Sequence, residues 1–388
     1  MKKILIVNNN LAMGGVQNSL INLLECIKHR YDVTLLLFHL DAKDAPRVPD
    51  GIRLLTVRSP FRHLGMSKKH TRRSPLLFLG RAFWVLLTRV CGHHLTFSLM
   101  SCLQKRIKGY DCAISYLHEC APREFYGGCN TFVLRCVDAP IKMTWLHGDF
   151  TRCGADHPQS RRLYEQFDRV VACSKGTQTA FLSCMPQCAG KTAVVKNCHD
   201  YARIRVLAGE GIPYEGGAFH IVSVARLSEE KGLERALRAV KLCKERGHDV
   251  HYHVVGDGKL KAELESLSER LGLRENVTFY GNRDNPYPYM RSADLLLLPS
   301  YHEAAPMVLD EAACLGIPVL TTRTISADEM VGERSSGLVV DNDQAAIEQG
   351  LLRVLQDENC LTEIRDALGA QEFDNGQALA CFDALLNG

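Results

Sequence analysis

Apolar residues along this chain alternate between two periods. KILIVN, at 3–8, holds the short unbroken apolar run Ile4–Val7, the pattern of a strand. A polar loop with Gly14 and Gly15 follows. Val16, Leu20, Leu23, Leu24 and Ile27 then recur at helical spacing before a second apolar run at 33–38. Strand, helix and strand in this order form a right-handed βαβ unit and open a parallel sheet. CAISYL (112–117), KMTWLH (142–147), RVVACS (169–174) and TAVVKN (192–197) extend it, with a helix at 175–184.

The stretch RVLAGEGIPYEGGAF, at 205–219, is rich in glycine, has no long apolar period and reads as a linker. The alternation then restarts. Strands are expected at 220–227, 251–256, 277–281, 294–300 and 318–322, with helices at 233–246, 259–273 and 308–316. At 388 residues the chain exceeds one ordinary core. The expected fold class is therefore α/β, with two Rossmann-like, doubly wound parallel-sheet domains facing each other. Ligands of such folds bind at the carboxyl ends of the strands.

Charge changes this picture. The net charge of +3 conceals a balance of +14 over residues 1–200 and −11 over the remainder. Residues 58–110 hold eleven Lys and Arg and no Asp or Glu, interleaved with the apolar run PLLFLGRAFWVLLT. That run is too short to span a bilayer. Basic and apolar groups mixed in this way describe a surface that docks on anionic lipid headgroups; a solvated helix face covering the sheet is the plainer alternative. No nucleic-acid-binding motif is present, so a nucleic-acid partner is not expected. The sixteen cysteines are scattered without a CxxC pair, and the start runs straight into a strand without a signal-peptide layout. Both features suggest a reduced, cytoplasmic protein with buried thiols.

Candidate chemistry gathers at predicted strand ends. SYHEAAPMVLDEAACLGIPV sets Glu303 and Glu311 eight positions apart after the run ADLLLLP. A helix beginning near Pro306 would put Glu311 in its second turn and Glu303 in the preceding loop. In ARLSEEKG, Arg226 ends a strand and Lys231 opens a helix, a pair suited to clamping a diphosphate beside helix amides. Gly14 and Gly15 permit close backbone approach to a phosphate or sugar, although the loop is not GxGxxG; VVGDGKL offers the same at Gly256 and Gly258. WLHGDF places His147 and Asp149 at a strand end. Taken singly, each of these positions is equally compatible with a tight turn, a surface charge or a structural histidine.

Together they resemble the retaining glycosyltransferases of family GT4, which have the GT-B fold. The resemblance covers nearly the full length. It is most specific from about 220 to 342, through SVARLSEEKGLERALRAV, VVGDG, FYGN, ADLLLLPSYHEAAPMVLDEAACLGIPVLTT and SSGLVVDND. It implies an acceptor-side domain over 1–205, a nucleotide-sugar domain over 206–370, and a segment from 371 to 388 crossing back to the first. It also implies that Glu311 accepts hydrogen bonds from the ribose and that Glu303 lies by the transferred sugar. Arg226 and Lys231 would neutralise the departing diphosphate, and His147 would reach the sugar. Backbone amides of Gly14, Gly15, Ala304 and Ala305 would complete the cradle.

The donor expected is a UDP-sugar, a substrate rather than a cofactor. No acidic D-x-D pair is read as set beside a strand end in the way metal-dependent transferases need, so no metal is expected. The acceptor expected is a lipid-linked glycan or polysaccharide in capsule, exopolysaccharide or lipopolysaccharide assembly, met at the inner face of the membrane through 58–110. A non-catalytic glycan-binding scaffold, or an epimerase or hydrolase on the same fold, are the alternatives. Two departures from the family pattern stand out. Ala304 and Ala305 replace the glycine usual after the first glutamate. Asn197, Cys198, His199 and Asp200 replace an N-G-V-D turn, which predicts backbone strain where glycine is lost.

Overall fold

The computed structural model describes every residue except Met13, Arg72, Arg73, Pro213, Glu215 and Gly388, and the side chains of Pro46, Lys68, Lys69 and Glu358. The chain divides into two units, one formed by Met1–Cys198 with the segment from Asn375 on, the other by His199–Asp374.

The first unit is built on seven parallel strands: β1 (Lys3–Asn8), β2 (Asp32–Leu37), β3 (Arg53–Thr56), β4 (Cys112–Ser115), β5 (Ile141–Leu146), β6 (Arg169–Ala172) and β7 (Thr192–Val194). Their order is β3-β2-β1-β4-β5-β6-β7. β1 lies between β2 and β4, with Ile4 opposite both Val33 and Cys112. Its unbroken apolar run has a direct cause. Ile4 and Ile6 enter one core with Leu20, Leu24 and Trp145, while Leu5 and Val7 enter the opposite one with Phe61, Phe97 and Phe132. Each such side chain contributes about 1.5–3 kcal/mol on burial.

The second unit repeats the plan with β8 (Phe219–Val224), β9 (Val250–Val255), β10 (Val277–Gly281), β11 (Leu295–Leu298), β12 (Val319–Thr322) and β13 (Gly337–Val340), in the order β10-β9-β8-β11-β12-β13. Leu295 and Leu297 face one core, Leu296 and Leu298 the other. In each sheet the winding reverses beside the first strand, between β1 and β4 and between β8 and β11. The carboxyl ends at these reversals are where ligands of doubly wound sheets bind.

Three expectations need correction. The boundary falls at Cys198, not near 205, because the helix Tyr201–Ala208 runs into the start of the expected linker and its Ile204 and Ala208 are buried in the second unit's core. The return to the first unit begins at Asn375 rather than 371, since Phe373 still packs on Tyr201 and Gln371 bonds the Arg334 carbonyl. The turn at 197–200 holds no left-handed residue: among the described non-glycine residues only Ser335 has a positive φ. Hydrogen bonds shape that turn instead, from Ser19 to Asn197 (2.7 Å) and from Asn22 to the Cys198 carbonyl (2.9 Å).

The basic region forms helices Pro75–Cys91 and His93–Cys102, the first laid on the sheet through its Thr88 and Trp84 side. All sixteen cysteines are free thiols, with Cys91 and Cys102 the exposed ones. Among the described residues no helix is long and apolar enough to cross a membrane.

Candidate functional site

The reversal in the second sheet brings two loops together. The loop after β8 runs from Ala225 to Gly232, turning through Glu229–Lys231 before the helix Leu233–Glu245. The loop after β11 runs from Pro299 to Pro306, which caps the helix Met307–Cys314. Gly232 joins them. It takes a left-handed φ of 59°, and a Cβ at this position would run into the Pro299 carbonyl, so a larger residue would push the loops apart.

This approach places Lys231 Nζ 2.6 Å from Glu303 Oε1, and the Ser300 hydroxyl donates to the same oxygen at 2.7 Å. The Glu303 side chain is only 9% exposed. Among the described residues both bonds fall on Oε1, leaving Oε2 as an acceptor for a ligand hydroxyl. The sequence assigned Lys231 and Glu303 to separate groups of a ligand; the structure makes them one ion pair. Arg226 lies in the loop, beyond the end of β8 rather than within it, and is exposed.

Glu311 occupies the second turn of Met307–Cys314 and is buried, with the Tyr287 hydroxyl 3.4 Å away. Burial raises its pKa above the ordinary carboxylate value, and the Asp310 charge adds to this; His199 and the Tyr287 hydroxyl oppose it. Its neighbour Asp310 behaves in the opposite way. Burial alone would raise it, but the His199 Nε2 bond at 3.1 Å and the Arg334 guanidinium outweigh that and hold it below the usual range. Ala304 is buried and Ala305 partly so, both on the loop between Glu303 and this helix.

Sequence reasoning passed over the supports of this loop. Arg235 is buried; it donates to the Pro299 carbonyl and, at 2.9 Å, to Asn342 Oδ1, and its guanidinium lies 3.9 Å from the centre of the Tyr301 ring. Asn342 in turn donates to the Tyr301 carbonyl at 3.1 Å. The signal was present, an arginine among the apolar positions of LERALRAV, where a buried charge demands partners. His199 and Asp310 were overlooked in the same way.

The remaining candidates belong to the first unit. His147 follows β5 and packs against Tyr116 and Trp145, with ring centres at 4.6 and 6.3 Å. Burial, with a smaller effect from His118, pushes its pKa down to about 3, so it is a neutral imidazole and not a cation. Gly14 is extended, and a Cβ at Gly15 would meet open space, so side-chain bulk is not excluded at Gly15 by the protein itself.

Residues 213–372 match the family described as glycosyl transferases group 1. Over 111 residues, 28% of this chain and 29% of the relative, the sequence is 39% identical to the lipopolysaccharide glucosyltransferase WaaG of Escherichia coli. Over 240 residues, 57% of each chain, it is 30% identical to a putative colanic acid biosynthesis glycosyltransferase, WcaL, of Salmonella typhimurium. The chain thus spans from under a third to somewhat over half of the length of these curated relatives. The whole fold is similar to that of the Anabaena protein HepE in complex with UDP-glucose, with a TM-score of 0.70 and 19% identity over 100% of both chains. It is likewise similar to the crystal structure of WaaG, with a TM-score of 0.65 and 16% identity over 99% of this chain and 100% of that one. Both likenesses concern the fold, and both neighbours share the two parallel-sheet domains of the GT-B architecture.

Proposed function

We propose that this chain, whose residues 213–372 match the group 1 glycosyl transferases, is a retaining glycosyltransferase that uses a UDP-sugar. It would move a hexose or N-acetylhexosamine to a lipid-linked or polysaccharide acceptor in cell-surface glycan synthesis. The observation that carries this reading is the Lys231–Glu303–Ser300 cluster at the reversal of the second sheet, with Glu311 on the helix that follows. Glu303 Oε2 is an acceptor suited to a sugar hydroxyl, and the Glu311 carboxylate to the ribose diol. Arg226 and Lys231 supply the positive charge that a departing diphosphate requires, the work a divalent ion does in other transferases. Omitting magnesium and manganese is therefore expected to leave the rate unchanged.

Calorimetric titration with UDP, GDP and ADP tests the nucleotide assignment. UDP is expected to bind, and Glu311→Ala to weaken it by about 10–100-fold, the loss of roughly 1.5–3 kcal/mol of charge-assisted hydrogen bonding. Because burial raises the Glu311 pKa, UDP affinity should fall on acidification from a pH above the ordinary carboxylate range, and Glu311→Gln should remove that dependence. No binding of any nucleotide at millimolar concentration by the folded wild type would sink the reading.

The helix Pro75–Cys91 supports a peripheral membrane location. Leu76, Leu79, Phe83, Leu86 and Val90 form one stripe at spacings of three and four residues, each more than half exposed. Leu95 and Leu99 continue the exposed apolar surface on the next helix, and Arg89, Lys105, Arg106 and Lys108 are exposed nearby. A contiguous face of this kind marks an interaction surface. Arg81 is the exception to the basic reading, because it is spent on the carbonyls of His63 and Met66. Arg72 and Arg73, and the side chains of Lys68 and Lys69, lie outside what the structure describes. The protein is expected to float with vesicles containing anionic lipid, and the triple substitution Leu79→Ser, Phe83→Ser, Leu86→Ser to abolish flotation. Equal recovery on neutral vesicles would refute the electrostatic part.

A further inference from the structure

We propose that the first unit binds one zinc-class divalent ion through His93, His94 and His157. One ring nitrogen from each lies within 4.8 Å of the other two. The three histidines come from two helix starts, His93 and His94 from His93–Cys102 and His157 from the cap of Pro158–Glu165. Glu119, in the loop after β4, reaches the same place, with its Oε2 3.5 Å from His93 Nε2.

The state of these groups is the argument. The Nε2 atoms of all three histidines and both oxygens of Glu119 are shielded from water and have no hydrogen-bond partner; His157 Nδ1 accepts the Ser160 N–H at 3.3 Å, a cap bond that ligation through its Nε2 would give up. His93 and Glu119 are fully buried side chains, at 0% and 1% exposure. His93 Nδ1 stands 3.1 Å from the Ala121 carbonyl, an acceptor, so Nδ1 carries the proton and Nε2 presents its lone pair inward. That lone pair faces a carboxylate across a dry gap. Two acceptors so placed are unfavourable unless a proton or a metal ion lies between them.

A three-imidazole set with a carboxylate is the ligand chemistry of zinc. His94 and His157 are only half-buried, which gives their rings room to close to the roughly 2.0–2.1 Å that zinc–nitrogen bonds require. The ion would pin the loops after β4 and β5, the second of which carries His147. It is a structural site, separate from the donor chemistry assigned to the second unit.

Cobalt(II) as a spectroscopic probe, followed by zinc competition, tests this on the full chain. The expected result is one ion per chain with the visible bands of four-coordinate cobalt, displaced by zinc, and a zinc-dependent rise in Tm. His94→Gln and His157→Gln should each weaken binding by at least about tenfold while circular dichroism shows an intact fold. His70→Gln alters a second cluster, with His39 and Asp41, and should change nothing. Absence of stoichiometric binding would mean that His93 and Glu119 share a proton, and would overturn the proposal. So would binding that survives both variants, binding lost only with His70→Gln, or a thiolate-to-cobalt charge-transfer band placing the ion on cysteines.

Discussion

Glu303→Gln is expected to lower kcat by about 10²–10³-fold, roughly 2.7–4 kcal/mol, while UDP affinity stays within about threefold. Glutamine keeps the shape and one acceptor oxygen but removes the charge that holds Lys231 at 2.6 Å. The freed ammonium can still meet a diphosphate, which is why ground-state nucleotide binding should survive. What disappears is the carboxylate beside the sugar and the fixed position of Lys231 as negative charge builds on the leaving group. Steady-state kinetics with the sugar nucleotide, alongside calorimetry with UDP, separates the two effects. Equal losses in kcat and UDP affinity would show that Glu303 acts mainly as a prop for the loop. Lys231→Ala combined with Glu303→Gln should cost less than the sum of the single changes, since each removes the same contact.

Asp310→Ala is expected to destabilise the second unit by about 3–5 kcal/mol, the cost of removing one member of a buried charged cluster. It would leave the Arg334 guanidinium and buried His199 without the carboxylate they share. Chemical denaturation followed by circular dichroism measures the loss. The pH dependence has a definite sign. The folded-state pKa of Asp310 is lowered, so its contribution is present above the ordinary carboxylate value and is lost as pH falls through the folded value. The variant should lose that part of its acid sensitivity. A change below about 1 kcal/mol would mean that Arg334 and His199 find solvent instead.

Legibility in the sequence followed burial. β1, β8 and β11 stood out because both faces of each are covered, which produces unbroken apolar runs. β3 and β13 escaped notice because they are four-residue edge strands with half-exposed residues and no clean alternation. The end of the helix Tyr201–Ala208, from 205 on, reads as linker because only Ile204 and Ala208 along the helix are buried. At the site, Glu303, Glu311, Arg226 and Lys231 were visible as residue types near strand ends. The pairing of Lys231 with Glu303 was not, because it depends on the approach of two loops whose paired residues are 72 apart in sequence, permitted by a glycine against a carbonyl. Asp310 sat beside Glu311 in plain view, yet only its fold partners His199 and Arg334 reveal that it is structural.

The segment after Asn375 carries a consequence for how the protein is made. Phe382 is fully buried in the first unit's core, against Tyr31 and Trp145, and Asp383 binds Tyr31 and Arg30 at 2.6 and 2.7 Å. A nascent chain emerging from the ribosome therefore cannot finish this core until residues 199–374 have also been translated. At about 5–20 residues per second that delay is on the order of 10–35 s. Throughout it, a slot the size of a phenylalanine stays open beside β1 and β5, making the unfinished amino-terminal half a natural client for chaperones. A stop codon at 375 would make that exposure permanent.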